Sequence, residues 1–453
     1  MQSGSEQDDR ATYSRSLGLF SATMLVVGGI IGSGIFISSQ AVAARTGTAT
    51  LTISAWSLGA VIALLGAFIF AELGRRRPQA GGGYAYLRDA FGPLPAFLYG
   101  WALLLAIATG AIAAVAVTFA TYATQLAGLS PDLIKPIALG AVVILTIINA
   151  FGVQPGAVTQ NIFTILKLAA LASLLVAALF VSSAPTPPAI SLPAPHSARE
   201  IFLVLGTALV PVLFTFGGWQ QTNFVAEELR DPERTLPRAL VLGVLIVVAV
   251  YLGANLAYLR ALGVSGLAAS RAPASDTMAI VAGTSGRRLI AAGVAASSFG
   301  FLDLVILVSP RVYQAMARDG LFFAALADLH PRWRTPLRAL LLQAIVALAL
   351  IMTGTYGQLL DWVVFGDWIF FGATALTLVV FRRRDAREHV TDRGYRAPLY
   401  PASVILFVTA AVYVVFGSVA SNPGNALRGV TVLAAGVPVF LYWRRKSLLA
   451  AEA

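Results

Sequence analysis

Val27-Gly28-Gly29-Ile30-Ile31-Gly32-Ser33-Gly34-Ile35-Phe36 lies inside a long apolar run, yet four of its ten residues are glycine. Glycine inside a helix costs roughly 1 kcal/mol against alanine. A membrane interior has no water to satisfy the backbone groups that a broken helix frees. A Gly-rich break at that depth therefore reads either as a notch for tight helix packing or as opened backbone that contacts something. A second break, Phe214-Thr215-Phe216-Gly217-Gly218-Trp219, stands about half a chain later and favours the opened backbone.

Composition sets the class around these breaks. The 453 residues are 58% hydrophobic and 12% charged, about half the charge of a soluble domain. Apolar runs recur along the whole length, which means a polytopic helical membrane protein. There is no cysteine, so disulfides, thiolate metal sites and cysteine nucleophiles are excluded. His196, His330 and His389 are scattered through expected loops, so no metal site is expected, and no cofactor. Residues 1–16 are polar and mixed in charge, and the first apolar run is too long for a signal peptide.

Spans of about 20 apolar residues cross the ~30 Å hydrocarbon core. The pattern predicts twelve: 17–44, 50–74, 85–124, 133–151, 158–181, 200–227, 237–262, 286–316, 336–354, 357–381, 399–419 and 426–443. With both termini inside, 23 basic residues fall on the cytoplasmic side and 8 outside, with Lys167 left at mid-membrane. This is the positive-inside bias, and it accounts for the +11 net charge without a nucleic-acid partner. An odd number of helices would put the Arg382–Arg384 and Arg444–Lys446 runs on opposite sides.

The order along the chain is then a cytoplasmic tail (1–16), helices one to five (17–181) and a Pro-rich outer linker (182–199). Helices six to ten (200–381), a basic cytoplasmic loop (382–398), two further helices (399–443) and a cytoplasmic tail (444–453) follow. The linker carries Pro185, Pro187, Pro188, Pro193 and Pro195 and reads as extended. Breaks in the first helix of each five-helix half point to an inverted-repeat transporter with its site at the midplane. The repeat rests on spacing, since the halves share no convincing residue identity.

Opening the first break at Ile30–Gly34 frees amides at the start of an outer half-helix, where the dipole favours an anion. Ser33 and Gly34 are placed to present them. Opening the second near Phe214–Gly217 frees carbonyls that attract an ammonium. Donors for an anion beside acceptors for an ammonium suit an α-amino acid zwitterion. Gly217-Gly218 alone would read equally well as a packing notch.

These residues also carry a resemblance. Gly28 through Phe36 resembles the first-helix motif of the amino acid–polyamine–organocation superfamily. Glu72-Leu73, Pro78 and Gly82-Gly83-Tyr84 resemble its next signature. Phe214 through Trp219, Asn223-Phe224 and Glu227-Glu228-Leu229 are similar to the L-type amino acid transporters, and Arg311 through Gly320 resembles the cytoplasmic end of the superfamily's helix eight. The resemblance covers about 17–400. It implies a LeuT-type fold, a 5+5 inverted repeat plus two C-terminal helices, and sodium-independent amino acid transport, often by exchange. It would set the substrate carboxylate against the Ser33 and Gly34 amides and the amine against carbonyls of Ile30, Phe214 and Gly217. Ile31 and Phe216 are counted with the site, Phe214 would be the aromatic gate, and Trp368 would line the pocket. Animal members join a partner glycoprotein through a cysteine that this chain lacks, so a disulfide-linked partner is not expected.

Polar residues at depth complete the reading. Lys167, in helix five, would cost about 2.5–3.5 kcal/mol at the bilayer centre unless it snorkels. The L-type family has lysine here, where sodium-coupled relatives bind a cation. Its ammonium would bridge the first break at Gly29 and Ile30 to Ser297 and Ser298 of helix eight, as a fixed substitute for sodium or as a proton carrier. Asp303 and Asp367 are the acids nearest the midplane. Each pairs with an arginine, relays a proton, binds a cationic side chain or makes a structural hydrogen bond. Glu72, Glu227 and Glu228 should meet arginines as inner-gate contacts.

The expected function is a secondary exchanger of neutral L-amino acids working by alternating access. The alternatives are a proton-coupled symporter or a cationic amino acid or polyamine exchanger. A channel would need a continuous polar lining, and a membrane enzyme a convergent His/Asp/Glu/Ser set at depth. Abundant arginine, with lysine only at 135, 167 and 446, points to a bacterial plasma membrane.

Overall fold

The computed structural model describes residues 12–181, 192, 195, 197–353, 356–390, 394–421 and 423–452. The prolines of the expected linker other than Pro195, and Arg10, His196 and Arg393, lie outside the described residues. The helices are α1 (Leu19–Ile30), α2 (Gly34–Thr46), α3 (Ala49–Arg76), α4 (Gly83–Phe91), α5 (Pro93–Ala102), α6 (Ala108–Ala127), α7 (Ile134–Ala150) and α8 (Val153–Leu179). They continue as α9 (Ala198–Phe216), α10 (Pro232–Ala269), α11 (Pro273–Val308), α12 (Pro310–Arg318), α13 (Leu337–Thr353), α14 (Tyr356–Arg387), α15 (Ala402–Ser421) and α16 (Pro423–Glu452). Among the described residues there is no strand, only a parallel bridge from Leu17 to Leu229. The molecule is an all-α membrane protein. Nine of its described helical segments are long and apolar enough to cross a bilayer, or ten with the bent pair α1–α2.

Local chemistry sets the ends. Thr48 accepts the Leu51 amide at the start of α3, and Ser197 accepts the Glu200 amide at the start of α9. Arg75 and Arg76 sit at the carbonyl end of α3, where the helix dipole favours cations. Gly47 and Gly128, both at positive φ, close α2 and α6.

Several expected spans are differently built. The third divides at Gly92 (φ 91°), and a π-helical turn at Leu103–Ile107 joins α5 to α6. The seventh runs longer, Pro232–Ala269, past a kink at Gly263. The eighth starts earlier, at Pro273, and stops before Pro310, which cannot donate a backbone bond. The sixth ends at Phe216 and gives way to a 3-10 segment, Trp219–Glu228. α10 packs along α3 and α1, α11 along α8 and α6, and α15 against α14, so the broken segments are enclosed.

Candidate functional site

The first break is a bend of 43° between α1 and α2. Ile31 leaves helical geometry at ψ 89°, and the Gly32 amide turns back to the Ile30 carbonyl at 2.9 Å. The Ser33 and Gly34 amides stand at the head of α2, where no intrahelical acceptor exists. In the second break Gly217 is extended and Gly218 lies at φ 116°. The two breaks touch. A Cβ on Gly218 would sit 2.1 Å from the Gly29 carbonyl oxygen, and one on Gly34 would sit 3.1 Å from Thr215. The glycines therefore serve both meanings the sequence offered, opened backbone and close approach.

Between the breaks lies a cavity of about 110 Å³, bordered by Gly32, Ser33, Gly34, Phe214, Gly217, Gly218, Asp367 and Trp368. Phe214 is 40% exposed, in keeping with a movable aromatic cover. Thr215, Gln220, Gln221, Phe301 and Phe371 also line it, with Ala111 and Val115. Sequence reasoning missed these. Gln220 and Gln221 had a readable signal, two amides directly after Gly217-Gly218-Trp219 in a segment already read as opened.

The structure departs from the expected placements at several points. Ile30, Ile31 and Phe216 are buried and do not border the cavity. Phe216 packs with Trp56 and Tyr251, ring centroids 5.9 and 5.0 Å away. The Ile30 carbonyl already accepts the Gly32 amide at 2.9 Å, and the Tyr251 hydroxyl donates its one proton to Ile30 or Thr215, at 3.0 and 3.2 Å, so the Ile30 carbonyl is partly engaged. Lys167 does reach the first break, but its ammonium donates to Gly28 at 3.2 Å and Ile31 at 2.6 Å, not to Gly29 and Ile30. The Gly29 carbonyl faces Gly218 and the Ile30 carbonyl faces Gly32 and Tyr251, which leaves those of Gly28 and Ile31 to the lysine.

Ser297 lies at the same break, donating its hydroxyl to Ile31 or Gly32 at 3.1 and 3.0 Å. Ser298 does not; its hydroxyl has no partner among the described residues. Asp303 lies away from the cavity, fully buried, and accepts the Asn149 amide at 2.8 Å.

One end of the bundle, the end that carries residues 12–17, is sealed by ion pairs. Arg311 and Glu228, both buried, meet at 2.8 Å, and the Arg311 guanidinium faces the Tyr13 ring at 5.8 Å. The Leu17 amide donates to Glu228 and the Arg230 amide to Leu17. Glu72 binds Arg76 at 2.8 Å and Arg382 at 2.5 Å. Glu227 is only 3.9 Å from Arg318. Asp319 takes the Tyr84 hydroxyl at 2.7 Å and Arg88 at 2.8 Å. Burial, then Asp319, raise the Tyr84 phenol well above its ordinary range. Burial alone would lower the Arg88 guanidinium, but its bonds to Asp319 raise it. Both groups keep their protons through the neutral range. Outside this seal lies a cavity of about 1070 Å³ bordered by Tyr13, Arg88, Glu227 and Arg338. Among the described residues no cluster of three His, Asp or Glu side chains is arranged to hold a metal.

A broken-helix pair enclosing a small cavity with an ion-paired seal at one end is transporter geometry. The family model described as an amino acid permease matches residues 17–438. The chain belongs to the amino acid permease family. The permease is 32% identical to the serine/threonine exchanger SteT of Bacillus subtilis (strain 168), over 95% of this chain and 97% of that one. It is 30% identical to the b(0,+)-type amino acid transporter 1 of Mus musculus, over 92% of this chain and 87% of that one. It is 33% identical to the large neutral amino acids transporter small subunit 2 of Homo sapiens, over 95% of this chain and 81% of that one.

Proposed function

We propose that the permease exchanges neutral L-amino acids across a bacterial plasma membrane, without sodium, by alternating access at the paired breaks. The observation that carries this reading is the cavity enclosed by Ser33, Gly34, Phe214 and Gly217. The substrate carboxylate meets the Ser33 and Gly34 amides. The ammonium meets carbonyls of the second break at Phe214 and Gly217. Ile30 takes part when the Tyr251 hydroxyl donates to Thr215 in its place. Lys167 and Ser297 hold the first break where a sodium ion would otherwise stand, and Phe214 closes the outer side.

The architecture proposed is twelve spans, with α13 and α14 added to the ten apolar segments, in two inverted five-helix halves (17–181 and 200–381). Both termini face the cytoplasm. The small-subunit designation belongs to the human relative. This chain has no cysteine for a disulfide-linked partner, and we read it as working without one. Transport without catalysis is the activity assigned.

The test is counterflow in sodium-free proteoliposomes loaded with unlabelled amino acid. Saturable entry of labelled neutral amino acid that depends on the internal load supports exchange. Entry that ignores the load and follows an imposed pH gradient supports proton symport instead. Asp303 favours that second reading, since one of its carboxylate oxygens has no partner among the described residues.

A further inference from the structure

Among the described residues, Asp367 is the only ionisable side chain on the wall of the cavity between the breaks. It sits within α14, enclosed by the bundle, yet it is partly exposed, and the space it is exposed to is that cavity. It makes no hydrogen bond or ion pair with another described residue. The fixed cation of the site does not serve it, because Lys167 is committed to the Gly28 and Ile31 carbonyls. The neighbouring phenol of Tyr99 offers no positive charge.

An unpartnered carboxylate at membrane depth is costly and marks function by default. In the exchange reading, on which this inference rests, backbone amides and carbonyls already match the two charges of the zwitterion. A neutral substrate then leaves Asp367 uncompensated. A second cationic nitrogen on the substrate compensates it with a charge-assisted hydrogen bond. The cavity is about 110 Å³, below the roughly 150 Å³ of an apolar cavity that holds one benzene, so it favours the shorter side chains of this kind.

We propose that Asp367 is a specificity-determining residue that adds to the neutral substrates a second, preferred class: α-amino acids whose short side chain ends in a cationic nitrogen, such as diaminopropionate, diaminobutyrate and ornithine. A site built to pair a polar group disfavours the analogue that lacks it, because its own group is left unpaired.

The test compares labelled diaminobutyrate and labelled serine in sodium-free counterflow, for the wild type and Asp367→Asn. The expected result is diaminobutyrate entry by the wild type and a fall of about tenfold or more in the diaminobutyrate-to-serine flux ratio in the variant, the size of one lost charge-assisted contact. If Asp367→Asn does not fold, wild-type thermal stabilisation decides: diaminobutyrate should stabilise more than 2-aminobutyrate, which lacks the nitrogen. Equal stabilisation overturns the proposal. Serine exchange without diaminobutyrate exchange overturns the specificity and leaves the exchange reading standing. Exchange of neither overturns both. An unchanged ratio, with loss of pH dependence in the variant, makes Asp367 a proton carrier and also overturns it.

Discussion

Replacing Gly218 by alanine places a Cβ 2.1 Å from the Gly29 carbonyl oxygen and asks an L residue to hold φ 116°. Backbone faces backbone here, so no flexible side chain can move aside. The expected outcome is loss of exchange and a lower melting temperature, read by counterflow and by a thermal-shift assay on the purified protein. Lys167→Met leaves the Gly28 carbonyl without its donor and the Ile31 carbonyl with Ser297 alone, at a general cost of about 1–3 kcal/mol. Exchange should fall while the protein still inserts, and added sodium should not restore it. Normal exchange in that variant would remove Lys167 from the mechanism. At this scale the sequence was readable where chemistry is unusual. Ser33, Gly34, Phe214 and Gly217 border the cavity because glycines mark the breaks. Ile30, Ile31 and Phe216 were misplaced because a broken helix has no fixed period, so facing cannot be counted from a neighbour.

The seal formed by α12, the 3-10 segment and residues 12–17 belongs to the scale of elements. Arg311 and Glu228 are both 2% exposed and meet at 2.8 Å. Removing one member of a buried pair strands the other's charge, which generally costs about 3–5 kcal/mol. Glu228→Gln and Arg311→Met should each lower thermal stability strongly. The double variant Glu228→Met with Arg311→Met should recover much of the loss. A double variant no better than either single one would mean that the pair is not coupled. The sequence anticipated arginine partners for Glu72 and Glu228 from their place at helix ends. It did not anticipate that Glu228 would also hold the Ser16 and Leu17 amides through its carbonyl, a contact made by chain segments more than two hundred residues apart. The kink at Gly263 and the turn at Gly92 were equally unreadable, since a lone glycine in an apolar run is also tolerated inside a straight helix.

For the whole molecule, the basic-residue bias predicts which end faces the cytoplasm. The absence of cysteine makes the check direct. Ser130→Cys, in the exposed turn before α7, should react with an impermeant maleimide in intact cells. Glu388→Cys, exposed after α14, should react only once the membrane is permeabilised. The reverse pattern would invert the topology. A thermal-shift screen of amino acids should show stabilisation that grows with ligand concentration, as mass action requires. No shift with any of them would leave the cavity without its proposed occupant.

The sequence by itself determined the class, the family and the place of both breaks. Hydropathy, basic-residue bias and clustered glycines are local signals, and the membrane makes their physical meaning unambiguous by forbidding unsatisfied backbone. Only the tertiary structure decided which groups are already paired. Tyr251 sets its hydroxyl between the Ile30 and Thr215 carbonyls, Asn149 binds Asp303 away from the cavity, and Lys167 reaches Gly28 and Ile31 while Asp367 keeps a free face. Those assignments depend on how α8, α10, α11 and α14 are rotated against the breaks. Rotation is set by packing across the bundle, which hydropathy leaves open.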